Sequence, residues 1–230
     1  MQREPSLTLG PHPAATRSGV AHLPAYDAGR GAGRIFAARS ALDRLLTEIR
    51  ACRICAAHLA LGPRPTLQAG RGARLLIVGQ APGTRVHATG IPFNDPSGDR
   101  LRDWLGIGRE VFYDREKIAL VPTGFCYPGK GKGGDLPPRP ECAPAWQAKV
   151  RRLMPRIGLT LLVGSYAQAH YLGDRRKPTL AATAEAYEEY LPEFWPMPHP
   201  SPRNISWLKR NPWFEAGIVP ALRARVRALL

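Results

Sequence analysis

The chain has 230 residues, four of them cysteine, and its 33 Lys and Arg against 18 Asp and Glu give a formal charge of +15. That length suits one α/β domain with a sizeable core rather than two large ones; nothing in it approaches the ~20 apolar residues of a membrane helix, and no apolar run near its start reads as a secretory signal. The cationic excess points to a polyanionic partner held by phosphate neutralisation, the expected setting is the cytoplasm with bacterial-type activity at the nucleoid, and in a reducing compartment the cysteines read as metal ligands before disulfides.

Residues 1–38 are rich in Gly, Pro, Ala and Arg without periodicity, the pattern of a disordered or loosely attached basic extension, so one catalytic domain is expected over residues 39–230. From Ser40, Leu42, Leu45, Leu46 and Ile49 follow helical spacing and place an amphipathic helix just before Cys52-Arg53-Ile54-Cys55. Four short apolar runs read as buried parallel strands: Leu75 to Val78, Ile118 to Val121, Thr160 to Val163 and Phe194 to Met197. Between them, Ser97 is placed to cap a helix carrying Leu101, Trp104 and Leu105, while Trp146, Val150 and Leu153 mark the apolar face of another. Further helices are predicted over Ser165 to Leu172 and Thr183 to Leu191. Asn211-Pro212 signals the start of a last, basic helix through Leu222, Val226 and Leu229. Strands alternating with helices imply a parallel sheet covered on both faces, with ligand loops at the strand C-termini.

Three motifs fall on such loops. Gly79-Gln80-Ala81-Pro82-Gly83 follows the first strand; its glycines permit close backbone approach and Pro82 stiffens it, which suits Gln80 and nearby amides to hold a planar base. Gly90 to Gly98 offers within three residues an aromatic face in Phe93, an amide in Asn94 and a carboxylate in Asp95, groups suited to stack a flipped base, read its edge and position a water. His199-Pro200-Ser201-Pro202-Arg203-Asn204 follows the last strand, and its proline-braced imidazole suits the negative charge that develops on a leaving base. Cys52, Cys55, Cys126 and Cys142 form a fourth constellation, able to converge on one tetrahedral zinc site or on an iron-sulfur cluster.

From about Cys52 to the C-terminus these motifs, in this order, resemble the uracil-DNA glycosylase superfamily, and specifically its iron-sulfur branch, families four and five. The resemblance implies a three-layer α/β/α fold around a four-stranded parallel sheet, base flipping, and monofunctional hydrolysis of the N-glycosidic bond that leaves an abasic site. By position it implies base contact or water binding at Gln80, base stacking at Phe93, contact with the uracil carbonyl at His199, a DNA wedge over Pro200, Ser201, Pro202 and Arg203, and a structural 4Fe-4S cluster on Cys52, Cys55, Cys126 and Cys142. The expected partner is uracil-containing DNA, with no membrane, and the expected state is a monomer.

Two departures leave roles open. The branch has Glu where this chain has Gln80, and a relative without a cluster has Asp where this chain has Ala81, so the usual carboxylate base is missing. The uracil-reading asparagine is also missing, since Val121-Pro122-Thr123-Gly124-Phe125 occupies its stretch, and Asn94 is the substitute to consider. Asp95 or Gln80 is expected to hold the attacking water, with His87 a second candidate because its residue type titrates near neutrality. Ser97, Lys130, Lys132 and Ser165 are expected to touch DNA. The departures also keep open a glycosylase for hypoxanthine or xanthine, and a non-catalytic protein that holds damaged DNA on the same scaffold.

Overall fold

The first helix, α1 (Ala41–Arg50), begins where Ser40 accepts the Asp43 N–H through its hydroxyl at 3.1 Å, and it buries the four predicted apolar residues. This computed structural model describes residues 40–230, and the extension expected over residues 1–38 lies outside them. After α1 come β1 (Leu75–Val78), α2 (Thr84–Thr89), α3 (Pro96–Leu105), α4 (Arg109–Tyr113) and β2 (Ile118–Leu120). A two-residue ladder follows, β3 (Lys130–Gly131) against β4 (Gly134–Asp135), then α5 (Cys142–Arg152), β5 (Leu159–Val163), α6 (Ser165–Leu172), α7 (Leu180–Glu185), β6 (Phe194–Met197), α8 (Ile205–Arg210) and α9 (Val219–Leu229).

The strand order β2-β1-β5-β6 is parallel throughout, with Leu75 level with Ile118 on one side and Leu159 on the other. Both faces are covered, which explains why the strands read as unbroken apolar runs and not as alternating ones. Leu76, Val78 and Leu162 face a core shared with α1, α5 and α6; Leu75, Ile77, Leu161 and Trp195 face the other, shared with α3 and α9. The fold is therefore the three-layer α/β/α arrangement with a four-stranded parallel sheet. Pro196 sits within β6 because that strand is an edge, where a missing N–H costs no ladder bond. Among the described residues no helix is long and apolar enough to cross a membrane.

The connection from β1 runs outward to β2 and that from β5 runs outward to β6, so the C-terminal ends of β1 and β5 diverge into a crevice, the usual ligand position in open α/β sheets. The structure corrects one predicted helix and adds a detail to another. The one expected over Thr183 to Leu191 is α7 from Leu180, capped by Thr179 onto the Ala182 N–H at 3.0 Å, followed by a 3-10 turn over Tyr187–Tyr190. The last one begins at Pro212 as predicted, but it is interrupted by a π-helical turn over Phe214–Ile218 before α9, where Pro220 lacks the N–H an unbroken α-helix would use.

Candidate active site

Beneath that crevice lies a cleft of about 1190 Å³, counted to its open mouth, lined by Gly79 to Gly83 after β1, by Pro92, Phe93, Asp95 and Ser97 before and within α3, and by His199, Ser201, Arg203 and Asn204 after β6. Phe93 and His199 therefore share one cavity.

Phe93 is held in an uncommon backbone state. Its φ of 53° is positive, the one such value at a non-glycine among the described residues. A bulky residue there costs about 1–3 kcal/mol, which the surroundings must offset. They do so from several sides. Tyr113 donates its hydroxyl to the Pro92 carbonyl at 3.0 Å, and the buried Arg102, paired with Asp99 and stacked against Phe112 and Tyr113, points Nη1 at the Phe93 carbonyl at 3.5 Å. Gly79 leaves room for the ring, since a Cβ there would stand 3.0 Å from Phe93 Cζ. Gly98 leaves room for the backbone, because a Cβ there would overlap the Phe93 carbonyl oxygen. Gly98→Ala is thus expected to lower stability by about 1–3 kcal/mol; an unchanged urea midpoint would show that the turn does not depend on that gap.

The helix below this turn is capped by Asp95 and not, as the sequence suggested, by Ser97. Asp95 Oδ1 accepts the Gly98 N–H at 2.9 Å and Pro96 fills the first helical position. Ser97 is buried against the cleft.

His199 is set by three contacts. Asn204 donates its amide to the His199 carbonyl at 2.7 Å, Arg100 of α3 reaches the Pro200 and Ser201 carbonyls at 3.4 and 3.3 Å, and Gly164 at the start of α6 admits the imidazole. A side chain on Gly164, whose φ is +87°, would begin 3.2 Å from His199 Cβ. Burial pushes the His199 pKa below the ordinary histidine value, and the Asp95 carboxylate pulls it partly back. The imidazole is neutral at pH 7 and can donate one N–H.

The remaining predicted residues divide. Gln80 lines the cleft, and its loop is tied down by Thr123, whose hydroxyl donates to the Gly79 carbonyl at 2.6 Å, and by the Gly124 N–H on the Gln80 carbonyl at 2.9 Å. Two others do not line it. Asn94 turns its amide oxygen to Arg109 Nη2 at 3.5 Å, and His87 sits on α2 with its ring centroid 6.0 Å from that of Tyr127 and Nδ1 buried without a partner. Lys130, Lys132 and Ser165 are exposed, as is Pro202, whereas Pro200 is buried. Arg203 lines the cleft with its guanidinium laid on the β3–β4 turn, Nη1 meeting the Gly133 carbonyl at 3.4 Å. Asp135 and Thr66, which also line the cleft, carry no motif signal in the sequence, and Asn204 stands in the histidine motif without a role of its own there.

The family model of the uracil DNA glycosylase superfamily matches residues 67–223. The chain belongs to that superfamily. A solution NMR structure from Methanosarcina acetivorans, provisionally named a uracil DNA glycosylase, is similar to it over 70% of this chain and 98% of that one, at 13% identity and a TM-score of 0.42. The superfamily's match begins after Cys52 and Cys55, so the cysteines must be judged on their own arrangement.

All four cysteines line a second, small cavity, bounded by Ile54, Leu59, Pro63, Pro65 and Trp146 among others. Burial pushes Cys126 up to about 11 and Cys142 up to about 12, and the neighbouring sulfurs add to both shifts, so as bare thiols they stay protonated. Cys142 accepts the Phe125 N–H at 3.3 Å, and Cys55 donates to Glu141 at 3.7 Å. The Trp146 indole N–H is buried without a partner at this cavity. Among the described residues no three His, Cys, Asp or Glu side chains are grouped to hold one metal ion.

Proposed function

We propose that this protein is a monofunctional uracil-DNA glycosylase, which extrudes uracil from DNA, hydrolyses its N-glycosidic bond and leaves an abasic site. One observation carries the proposal: a single cleft presents the face of Phe93 and a neutral, partly buried His199 to the same ligand.

The base must leave its stack before any side chain reaches the glycosidic bond, at a cost of a few kcal/mol. Lys130 and Lys132, exposed on the β3–β4 turn beside the cleft, together with Ser165, Ser97 and Ser201, meet the phosphates, and Pro200 to Arg203 press against the duplex. Phe93 stacks on the extruded base. As the bond lengthens the base becomes an anion and the sugar gains oxocarbenium character, and the His199 N–H is positioned for the oxygen that takes up the negative charge. The neutral imidazole donates that hydrogen bond through its one N–H. Gln80, fixed by its backbone bonds, offers an amide to the base edge.

Cys52, Cys55, Cys126 and Cys142 are the residues that would hold a 4Fe-4S cluster, whose irons take one thiolate each, because all four line one cavity. The orphaned Trp146 N–H gives a cluster sulfur a donor. The group supplies no step of the hydrolysis; it joins the end of α1 to the start of α5.

Incubating the protein with an end-labelled duplex that holds one uracil, then heating in alkali, tests the reading. Strand scission at the uracil is expected, with free uracil in the supernatant. Scission only at hypoxanthine or xanthine would move the specificity to those bases, and salt-sensitive binding without scission of any of the three would leave a damaged-DNA-binding protein.

A further inference from the structure

Hydrolysis of a glycosidic bond separates charge across the sugar. The departing base is an anion on the side of His199, and the water approaches the anomeric carbon from the other side. A carboxylate that serves the water therefore belongs away from the imidazole. Among the described residues two carboxylates line the cleft, Asp95 and Asp135. Asp95 is on the wrong side: its charge acts on His199, and one of its oxygens is taken by the Gly98 N–H as the cap of α3. It would oppose the very anion that the imidazole stabilises.

Asp135 differs on both counts. It is carried by β4 beside the loop after β1, where its Oδ2 stands 3.5 Å from the point at which a side chain on Gly83 would begin, and it is not among the charges that act on His199. Its Oδ1 accepts the Tyr127 hydroxyl at 3.4 Å, and it caps no helix. The glycine at 83 is what lets the carboxylate come so near the loop after β1. The turn that carries Asp135 is held to the His199 loop by Arg203, whose guanidinium occupies the space a side chain on Gly134 would need.

Taking the glycosylase reading above as its basis, we infer that Asp135 is the catalytic carboxylate of this cleft, supplied by the β3–β4 turn in place of the acidic residue that Gln80 and Ala81 do not provide. In the step assigned to it, the water oxygen bonds to the anomeric carbon as the carbon–nitrogen bond breaks. The bonding pair leaves with uracil, whose oxygen His199 holds. One water proton passes to the Asp135 carboxylate and from there to solvent, while the uracil anion takes a proton from solvent. Tyr127 is a positioning residue, since it fixes one carboxylate oxygen and leaves the other to the water.

The test compares wild type, Asp135→Asn, Asp135→Ala and Tyr127→Phe in single-turnover uracil release across pH, with binding to a duplex that holds an uncleavable abasic analogue as a second readout. Asp135→Asn is expected to lose about 10²–10⁴-fold in rate and to flatten the acid limb of the pH profile, with analogue affinity within about threefold of wild type. Tyr127→Phe is expected to lose about tenfold with the acid limb kept, the loss of one hydrogen bond. A rate within tenfold of wild type in Asp135→Asn, or a loss of analogue binding as large as the loss of rate, overturns the assignment. Wild type that frees no base from any oligonucleotide overturns the glycosylase reading itself, a result distinct from either.

Discussion

His199→Ala is expected to slow single-turnover release of uracil by about 10²–10³-fold while leaving affinity for uracil-containing duplex nearly unchanged. A donor aimed at charge that exists only in the transition state is worth about 3–4 kcal/mol in a site partly closed to water, and it contributes little to the ground state, where the base oxygen is neutral. The hydrogen bonds that place the loop, from Asn204 and Arg100, end on backbone carbonyls and survive the substitution. Chemistry near the wild-type rate would remove the leaving-group role from His199. The buried imidazole adds a pH signature. An unfolded histidine titrates near about 6.5, and burial lowers the folded value. The neutral imidazole therefore contributes its full share of stability above that pH, and the contribution is lost as pH falls towards the folded value. Urea midpoints of wild type and His199→Ala should converge between pH 7 and pH 5, and parallel midpoints would mean that the imidazole is not held neutral.

Much of this arrangement is legible in the chain because burial writes itself into short sequences. β1 and β5 lie in the middle of the sheet, covered on both faces, and their residues are almost all aliphatic. α1 displays both its cap and its apolar stripe. The elements that escape are those too brief for a period: α2 and α4 have six and five residues and begin at glycines with no capping side chain, and the β3–β4 ladder is two residues a strand in a glycine-rich stretch.

The site divides by the same logic. Phe93 and His199 stand on motif loops directly after or near strand ends, so their shared cavity follows from the topology. Asn94 looked equivalent to Phe93 because it is the next residue, but the positive φ at Phe93 turns the chain and sends the amide to Arg109. The cap of α3 was legible in principle, since proline at the first helical position marks the residue before it, Asp95, and not the serine after it. Asp135 had no such signal. It reaches the cleft only through a turn some fifty residues beyond the motif it faces, and nothing in local spacing announces that.

Removing the cluster proposed for the four cysteines is expected to lower the thermal midpoint by about 6–12 °C and to abolish uracil release, although no cysteine touches the cleft. Residues 126–142 form a long excursion whose own regular structure is the two-residue ladder, and Leu136 at its far end is exposed. Closing a loop of that length restricts the unfolded chain by about 3 kcal/mol, and each kcal/mol is worth about 2–4 °C in a chain of this size. The same excursion carries Asp135 to the cleft and exposes Lys130 and Lys132, so its release would remove the proposed carboxylate and the proposed phosphate contacts together. Protein purified without air should contain about four irons per chain. Oxidation in the presence of a chelator, followed by calorimetry and the alkali assay on one sample, gives both readouts. A sample with no iron and full activity would rule out the cluster, and iron loss that leaves midpoint and rate unchanged would separate the cysteine cavity from the turn that completes the cleft.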